Sequence, residues 1–211
     1  MSGIDHFLSL APVVPVVTIR DVAHAVPLAR ALTAGGLLAI EITLRTDCAL
    51  AAIAAIARDA PEIAVGAGTV LNPEDLRAAA EAGARFAISP GSTPALLAAG
   101  TKGPIPYLPA VSSPSNVMDG LAAGYDRFKL FPAAAVGGLA MLKSLAGPFP
   151  QVKFCPTGGV SLETAPAYLA LDNVLCVGGS WMVSDAQVAA GDWAGIEAGA
   201  RATVQALAVG A

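Results

Sequence analysis

The chain has 211 residues, of which 55% are hydrophobic and only 13% are charged. This length is enough for a buried core, and the shortage of charge favours a homo-oligomer in which subunits cover part of each other's surface. The net charge of −4 is spread without basic runs, which argues against a nucleic-acid or membrane partner. Every apolar stretch is interrupted before the roughly 18 residues of a membrane span, and the N-terminus lacks a signal-peptide pattern. We therefore expect a cytoplasmic protein whose partner is a small molecule.

Cysteine and histidine are too few and too scattered to form a metal site or a disulfide framework. Cys48, Cys155 and Cys176 are odd in number and widely spaced, and His6 and His24 are the only imidazoles. We expect no metal and no cofactor.

Apolar, strand-like segments alternate with alanine-rich helical segments along the whole chain. Strands are predicted over residues 13–19, 37–44, 63–70, 86–89, 106–111, 127–132, 152–156 and 174–178. Helices are predicted over residues 21–34, 49–60, 73–82 and 138–145, with a short helix over 1–10 and a closing helix over 192–208. Near-continuous apolar strands are typical of a parallel sheet covered by helices. Eight such units predict one domain, residues 1–211, folded as a (β/α)8 TIM barrel with a short N-terminal helix.

Helix boundary signals support this division. The segment Asn72-Pro73-Glu74-Asp75 offers an N-cap, a proline in the first turn and acidic residues near the helix N-terminus. Gly35-Gly36, Gly83 and Gly124 are expected to end helices before the next strand.

A single lysine stands inside the predicted strand 127–132. Lys129 lies between Phe128 and Leu130, and the active site of a β/α barrel lies at the C-terminal ends of its strands. Apolar surroundings disfavour the charged amine, and the neutral amine is the nucleophile that forms a Schiff base with a ketone. The structural alternatives are a lysine that extends to the barrel rim or an ion-pair partner for Glu41.

Strand 37–44 carries polar residues on one face. The twofold period of a strand places Glu41, Thr43 and Arg45 on the same side. Glu41 could move protons as a general acid-base, and Arg45 could bind a carboxylate, assisted by the hydroxyl of Thr69. A structural ion pair for Glu41 and a solvated arginine at the rim are the alternatives.

The last two predicted strands both end in glycine-rich segments. These are Thr157-Gly158-Gly159 and Gly178-Gly179-Ser180. In β/α barrels the loops after strands seven and eight often bind phosphate through backbone N–H groups, which glycine leaves accessible. The segments therefore predict a phosphorylated substrate, and tight turns without a ligand are the alternative.

Several segments, in order along nearly the whole chain, resemble one known family. They are Pro12-Val13-Val14-Pro15-Val16, Glu41-Ile42-Thr43-Leu44-Arg45-Thr46, Gly66-Ala67-Gly68-Thr69-Val70, Phe86-Ala87-Ile88-Ser89-Pro90-Gly91, Phe128-Lys129-Leu130-Phe131-Pro132-Ala133, Cys155-Pro156-Thr157-Gly158-Gly159 and Gly178-Gly179-Ser180-Trp181. The chain resembles the 2-keto-3-deoxy-6-phosphogluconate (KDPG) and 4-hydroxy-2-oxoglutarate (KHG) aldolases, which are class I, Schiff-base enzymes.

The resemblance implies a role for each candidate residue. Lys129 would form the Schiff base and Glu41 would be the general acid-base residue. Arg45 and Thr69 would hold the substrate carboxylate. The remaining pocket residues would be Pro90, Phe131 and, for stereochemical choice, Thr157, and the phosphate would bind to Gly158, Gly159, Gly178, Gly179 and Ser180. The resemblance also implies cleavage of KDPG to pyruvate and glyceraldehyde 3-phosphate, in the Entner–Doudoroff pathway, by a homotrimer.

One segment departs from the family pattern. Ala134-Ala135-Val136 stands where many relatives carry polar residues, which leaves Lys129 untouched but bears on trimer contacts and substrate preference. Alternatives within the mechanism are aldolases for KHG or for the galactonate epimer of KDPG. Alternatives outside it are a phosphosugar isomerase or epimerase, and a phosphosugar-binding module without catalysis.

Overall fold

The computed structural model describes residues 3–208, within which the chain forms nine strands and ten α-helices. The strands are β1 (Val13–Val17), β2 (Ala39–Thr43), β3 (Ala64–Gly68), β4 (Ala87–Ile88), β5 (Tyr107–Leu108), β6 (Ala110–Val111), β7 (Arg127–Leu130), β8 (Lys153–Pro156) and β9 (Val177–Gly179). The helices are α1 (Gly3–Leu8), α2 (Ala25–Ala34), α3 (Ala49–Asp59), α4 (Pro73–Glu81), α5 (Pro94–Lys102), α6 (Pro114–Ala122), α7 (Gly138–Ala146), α8 (Ala165–Leu169), α9 (Asp185–Ala190) and α10 (Trp193–Ala208).

The strands are parallel and form two sheets. One has six strands in the order β5-β4-β3-β2-β1-β9, and the other has three in the order β6-β7-β8. Two isolated parallel bridges, Phe154 with Val174 and Thr157 with Gly178, connect the β8 region to the β9 region. The α/β class with parallel strands is therefore confirmed.

Two strands differ from their predicted extent. The predicted strand 106–111 is divided into β5 and β6 at Pro109, because proline has no N–H to donate to the ladder. The carbonyl of Pro109 still accepts a hydrogen bond from the Lys129 amide at 2.9 Å. The predicted strand 174–178 is regular only from Val177 to Gly179, and its first residue forms an isolated bridge.

The predicted helices agree closely with the observed ones. The segment 21–34 begins with a 3₁₀ turn, in which the Ala23 amide donates to the Asp21 carboxylate at 2.9 Å, and continues as α2. Asn72 caps α4 by accepting from the Asp75 amide at 2.8 Å. The predicted helix 1–10 is observed as α1, and its first two residues lie outside the described range. Within residues 3–208, no helix combines the length and the apolar character that crossing a membrane requires.

The core has two parts because strand side chains alternate between two faces. One face packs on the helices, as Ile40 and Ile42 do in the larger hydrophobic cluster. The opposite faces of strands from both sheets share a smaller cluster with Phe7 and other residues of α1. Arg127, the first residue of β7, pairs with Asp5 of α1 at 2.8 Å. Helix α1 therefore covers the N-terminal ends of the strands. Their C-terminal ends are not covered by α1 and can form a ligand site.

Candidate active site

The interior between the two sheets contains a lysine–carboxylate pair. Lys129 of β7 donates to both carboxylate oxygens of Glu41 on β2, at 3.0 and 3.3 Å from Nζ. Their side chains are only 5% and 3% exposed. Lys129 is therefore not a solvated lysine at the rim. Its amine is hydrogen-bonded directly to the carboxylate of Glu41, which can accept a proton.

Local sequence explains why the pair fits. The neighbours Phe128 and Leu130 belong to the helix-facing cluster, so the alternation turns Lys129 inward. A side chain at Gly68 would overlap the carboxylate of Glu41, so glycine makes room for it. The ring of Phe131 lies 5.4 Å from Lys129 Nζ and provides a cation–π contact on another side.

Beyond Glu41, the next inward position of β2 is Thr43, which is also buried. Its hydroxyl donates to the carbonyl of Val17 at 3.2 Å and lies 2.8 Å from the hydroxyl of Thr18. The strand pattern predicted the side on which Thr43 lies. It did not single out Thr18, although a polar residue near the end of an apolar strand is the kind of signal that identified Glu41.

A cavity of about 320 Å³ opens at the C-terminal ends of the strands. Its walls include the predicted site residues Arg45, Phe131, Thr157, Gly158, Gly159, Gly178, Gly179 and Ser180. The structure therefore brings together the predicted carboxylate-binding residue Arg45, the pocket residues Phe131 after β7 and Thr157 after β8, and both glycine-rich segments.

Four predicted residues lie outside the lining of this cavity, namely Glu41, Thr69, Pro90 and Lys129. Arg45 Nε donates to the hydroxyl of Thr69 at 3.2 Å, so these two candidates are in contact. Thr69 has a φ of 58°, uncommon for a residue other than glycine. Pro90 lines a separate depression of about 350 Å³ next to Val70 and Leu71. Glu41 and Lys129 do not line the cavity either, because they are buried against each other.

The glycine-rich segments present backbone to the cavity. Gly158 and Gly159 have φ values of 95° and 76°, a left-handed conformation that favours glycine. Within residues 3–208, their amides donate to no other group. A side chain at Gly178 would overlap Thr157. The amides of Gly158 and Gly159 are therefore available to an anion.

Sequence reasoning missed two charged residues of the cavity wall. Arg20 follows β1, and Asp185 begins α9; their charged atoms are 3.9 Å apart, and both side chains are largely exposed. A pair this exposed contributes little to stability. Arg20 therefore adds a second exposed cation to the wall that contains the glycine-rich segments.

A buried thiol lies beside the lysine, and a second buried thiol contacts the first. Cys155 is the register partner of Lys129, and the thiol of Cys176 donates to Cys155 Sγ at 3.5 Å. This hydrogen bond, together with the charge of Lys129, lowers the pKa of Cys155, while the same contact and burial raise the pKa of Cys176. Among the residues described, no group of three or more His, Cys, Asp or Glu side chains could hold a metal ion.

Comparisons with known proteins show the family of the chain. The family model for KDPG and KHG aldolase matches residues 4–199. The KHG/KDPG aldolase of Escherichia coli K12 is 52% identical over 201 residues, which cover 95% of this chain and 94% of the relative.

Two solved structures are also similar. The KDPG aldolase of Legionella pneumophila, captured with pyruvate as a covalent carbinolamine intermediate, is 47% identical with a TM-score of 0.93, over 95% of this chain and 97% of the other. The KDPG aldolase of Zymomonas mobilis ZM4, solved with 3-phosphoglycerate, is 49% identical with a TM-score of 0.91, over 95% and 94% of the two chains. The chain belongs to the KDPG and KHG aldolase family.

Proposed function

We propose that this chain is a class I aldolase that cleaves KDPG to pyruvate and glyceraldehyde 3-phosphate through a Schiff base on Lys129. The observation that carries the proposal is the buried contact between Lys129 and Glu41 below a cavity lined by Arg45 and two glycine-rich segments. The carbinolamine captured in the Legionella relative, and the names of the relatives, support the same chemistry.

The reaction begins when Glu41 takes a proton from the ammonium of Lys129. The neutral amine attacks the C2 ketone of the substrate. Glu41 then gives its proton to the hydroxyl of the carbinolamine, which leaves as water, so that Glu41 is a carboxylate again and the lysine carries a protonated imine. Glu41 then accepts the proton of the C4 hydroxyl, and the electrons of the C3–C4 bond move into the imine. Glyceraldehyde 3-phosphate leaves, and protonation of the remaining enamine at C3 followed by addition of water releases pyruvate and the amine.

The cavity wall provides the contacts for both ends of the substrate. Arg45 and Thr69 hold the carboxylate, for which a guanidinium offers two parallel donors. Pro90 and Phe131 shape the pyruvate half, and Thr157 lies where the stereochemistry at C4 is chosen. The phosphate is held by the backbone of Gly158, Gly159, Gly178, Gly179 and Ser180.

A second candidate substrate is 4-hydroxy-2-oxoglutarate, because the matching family and the Escherichia coli relative carry both names. The glycine-rich wall favours the phosphorylated substrate, since a phosphate offers these amides more acceptor oxygens than the second carboxylate of 4-hydroxy-2-oxoglutarate does. The galactonate epimer of KDPG differs only at C4, where Thr157 lies. An isomerase, an epimerase or a binding module has no use for an amine in contact with Glu41.

The substrate is tested by following pyruvate release, with lactate dehydrogenase and NADH, from KDPG, its galactonate epimer and 4-hydroxy-2-oxoglutarate. We expect the highest kcat/KM for KDPG and none above background for a Lys129→Met variant. A higher kcat/KM for either competitor would transfer the proposal to that substrate. Absence of pyruvate from all three would contradict the aldolase function.

We also propose that residues 1–211 form one domain in which the two sheets close as a (β/α)8 TIM barrel, and that it acts as a cytoplasmic homotrimer. The two bridges between the β8 and β9 regions support closure. The 55% hydrophobic content and the exposed side chains of Leu38, Leu71 and Met118 support burial between subunits. Sedimentation equilibrium tests the trimer, and a monomeric mass would contradict it.

A further inference from the structure

Thr18 occupies a position between the two halves of the proposed site. It directly follows β1, which lies between β2 and β9 in the sheet. In the register of these strands Val16 is paired with Glu41 and Pro15 with Gly179. A ligand that reacts beside Glu41 and is anchored at Gly179 therefore passes the end of β1, where Thr18 lines the cavity.

The hydrogen bonds around Thr18 determine what its hydroxyl can offer. Thr43 donates its single hydroxyl hydrogen to the carbonyl of Val17 at 3.2 Å. Since that hydrogen is given to Val17, we assign Thr18 as the donor and Thr43 as the acceptor in the 2.8 Å contact between the two hydroxyls. The hydroxyl hydrogen of Thr18 is used in the bond to Thr43. The Thr18 oxygen keeps a lone pair that can accept a hydrogen bond from a ligand in the cavity. Thr18 is then an acceptor, which suits a ligand hydroxyl and does not suit a phosphate or a carboxylate.

We propose that Thr18 is a specificity-determining residue that accepts a hydrogen bond from a substrate hydroxyl between the cleaved bond and the phosphate. This inference rests on the proposed function, because it takes the substrate to extend from Lys129 to the glycine-rich segments. In KDPG that hydroxyl is on C5, which becomes C2 of glyceraldehyde 3-phosphate. Thr43 is the positioning residue that keeps the oxygen of Thr18 directed as an acceptor.

The test uses the reverse reaction, the condensation of pyruvate with D- or L-glyceraldehyde 3-phosphate. The two aldehydes have the same atoms and charge and differ in the direction of the C2 hydroxyl. The ratio of their kcat/KM values at saturating pyruvate is measured for the unmodified chain, Thr18→Val and Thr18→Ser. Thr33→Val is the matched control, because its hydroxyl is also half-buried and bonded to a carbonyl, but it lies on α2 and does not line the cavity.

We expect the D-to-L ratio to fall about three- to tenfold in Thr18→Val, the effect of one neutral hydrogen bond, and to stay within twofold of the unmodified ratio in Thr18→Ser and Thr33→Val. An unchanged ratio in Thr18→Val would overturn the inference. Circular dichroism checks the fold of each variant, and Thr18→Ala gives the same test if valine is not tolerated. If the unmodified chain condenses neither aldehyde with pyruvate, the proposed function fails; if it does and only the ratio is insensitive, the role of Thr18 alone fails.

Discussion

Strand β7 carries two cationic side chains on one face, two residues apart. One pairs with helix α1 and the other lies in the proposed active site. Arg127 pairs with Asp5 of α1 at 2.8 Å, and Lys129 pairs with Glu41 of β2 at 3.0 Å. Both are cation–carboxylate pairs on one strand face. Arginine stays protonated in proteins, whereas lysine can transfer its proton to the adjacent carboxylate and become a nucleophile. The comparison shows that residue type and position along the strand, and not ion pairing itself, separate a structural pair from a reactive one.

The surroundings of the two cations reinforce this difference. The guanidinium of Arg127 also contacts the carboxylate and carbonyl of Asp126 and the carbonyl of Gln151, so most of its donors are occupied. Lys129 has the two oxygens of Glu41 and the ring of Phe131. Its amine therefore has fewer bonds to lose when a ketone arrives from the cavity.

The largest expected effect separates the two cations directly. Lys129→Met removes the nucleophile, and we expect pyruvate release to fall by on the order of 10³-fold or more, because imine formation depends on this amine. Arg127→Met, the matched change on the same strand face, should keep kcat within about threefold while lowering the midpoint of thermal unfolding. Comparable losses of kcat in the two variants at equal helical content would break the distinction.

Glu41→Gln tests whether the partner of the lysine moves protons. The amide keeps the size of the side chain but cannot accept the proton, so we expect kcat to fall roughly 10²- to 10⁴-fold. Imine formation with pyruvate, followed by borohydride reduction, should be partly retained. If binding and turnover decrease by the same factor, Glu41 is a structural partner like Asp5.

Arg45→Gln tests the carboxylate end of the site. Loss of a charge-assisted hydrogen bond, about 1.5–3 kcal/mol, should raise KM by roughly 10- to 100-fold with a smaller change in kcat. Arg30→Gln is a suitable control, since Arg30 is an exposed arginine on α2 that contacts the carbonyl of Asp59 and does not line the cavity. An unchanged KM for KDPG in Arg45→Gln would make Arg45 a solvated residue.

The smallest effect on activity is expected at the other end of β7. Asp5→Asn removes one of the two carboxylates that pair with the partly buried guanidinium of Arg127, and urea unfolding should show a loss of about 1–3 kcal/mol. Turnover of the folded fraction should be unchanged. A loss of turnover without a loss of stability would mean that the α1 end is coupled to the chemistry.

Much of the fold was predictable because the strands and helices follow local patterns. The period of two turned Glu41, Thr43 and Lys129 inward, and the Asn72 cap and α4 are confirmed as predicted. The division of strand 106–111 at Pro109 is also a local effect, which the apolar run obscured.

The contacts between distant parts of the chain were predicted only as alternatives or not at all. The ion pair of Asp5 with Arg127 spans 122 positions and that of Lys129 with Glu41 spans 88. From the sequence, an ion pair with Glu41 and a nucleophile were alternative interpretations of Lys129. The structure shows the ion pair, and the proposed proton transfer uses this same contact. Thr18 lies inside the predicted strand 13–19, and its contact with Thr43 of the neighbouring strand was found only in the structure.

The most direct test of the central claim is borohydride reduction in the presence of pyruvate, followed by peptide mass spectrometry. The account predicts one reduced pyruvate adduct, on the peptide that contains Lys129, and no adduct in Lys129→Met or without pyruvate. Lys102, Lys143 and Lys153 are the internal controls in the same digest. An adduct on one of these lysines, or active enzyme that acquires none on Lys129, would contradict the Schiff-base mechanism.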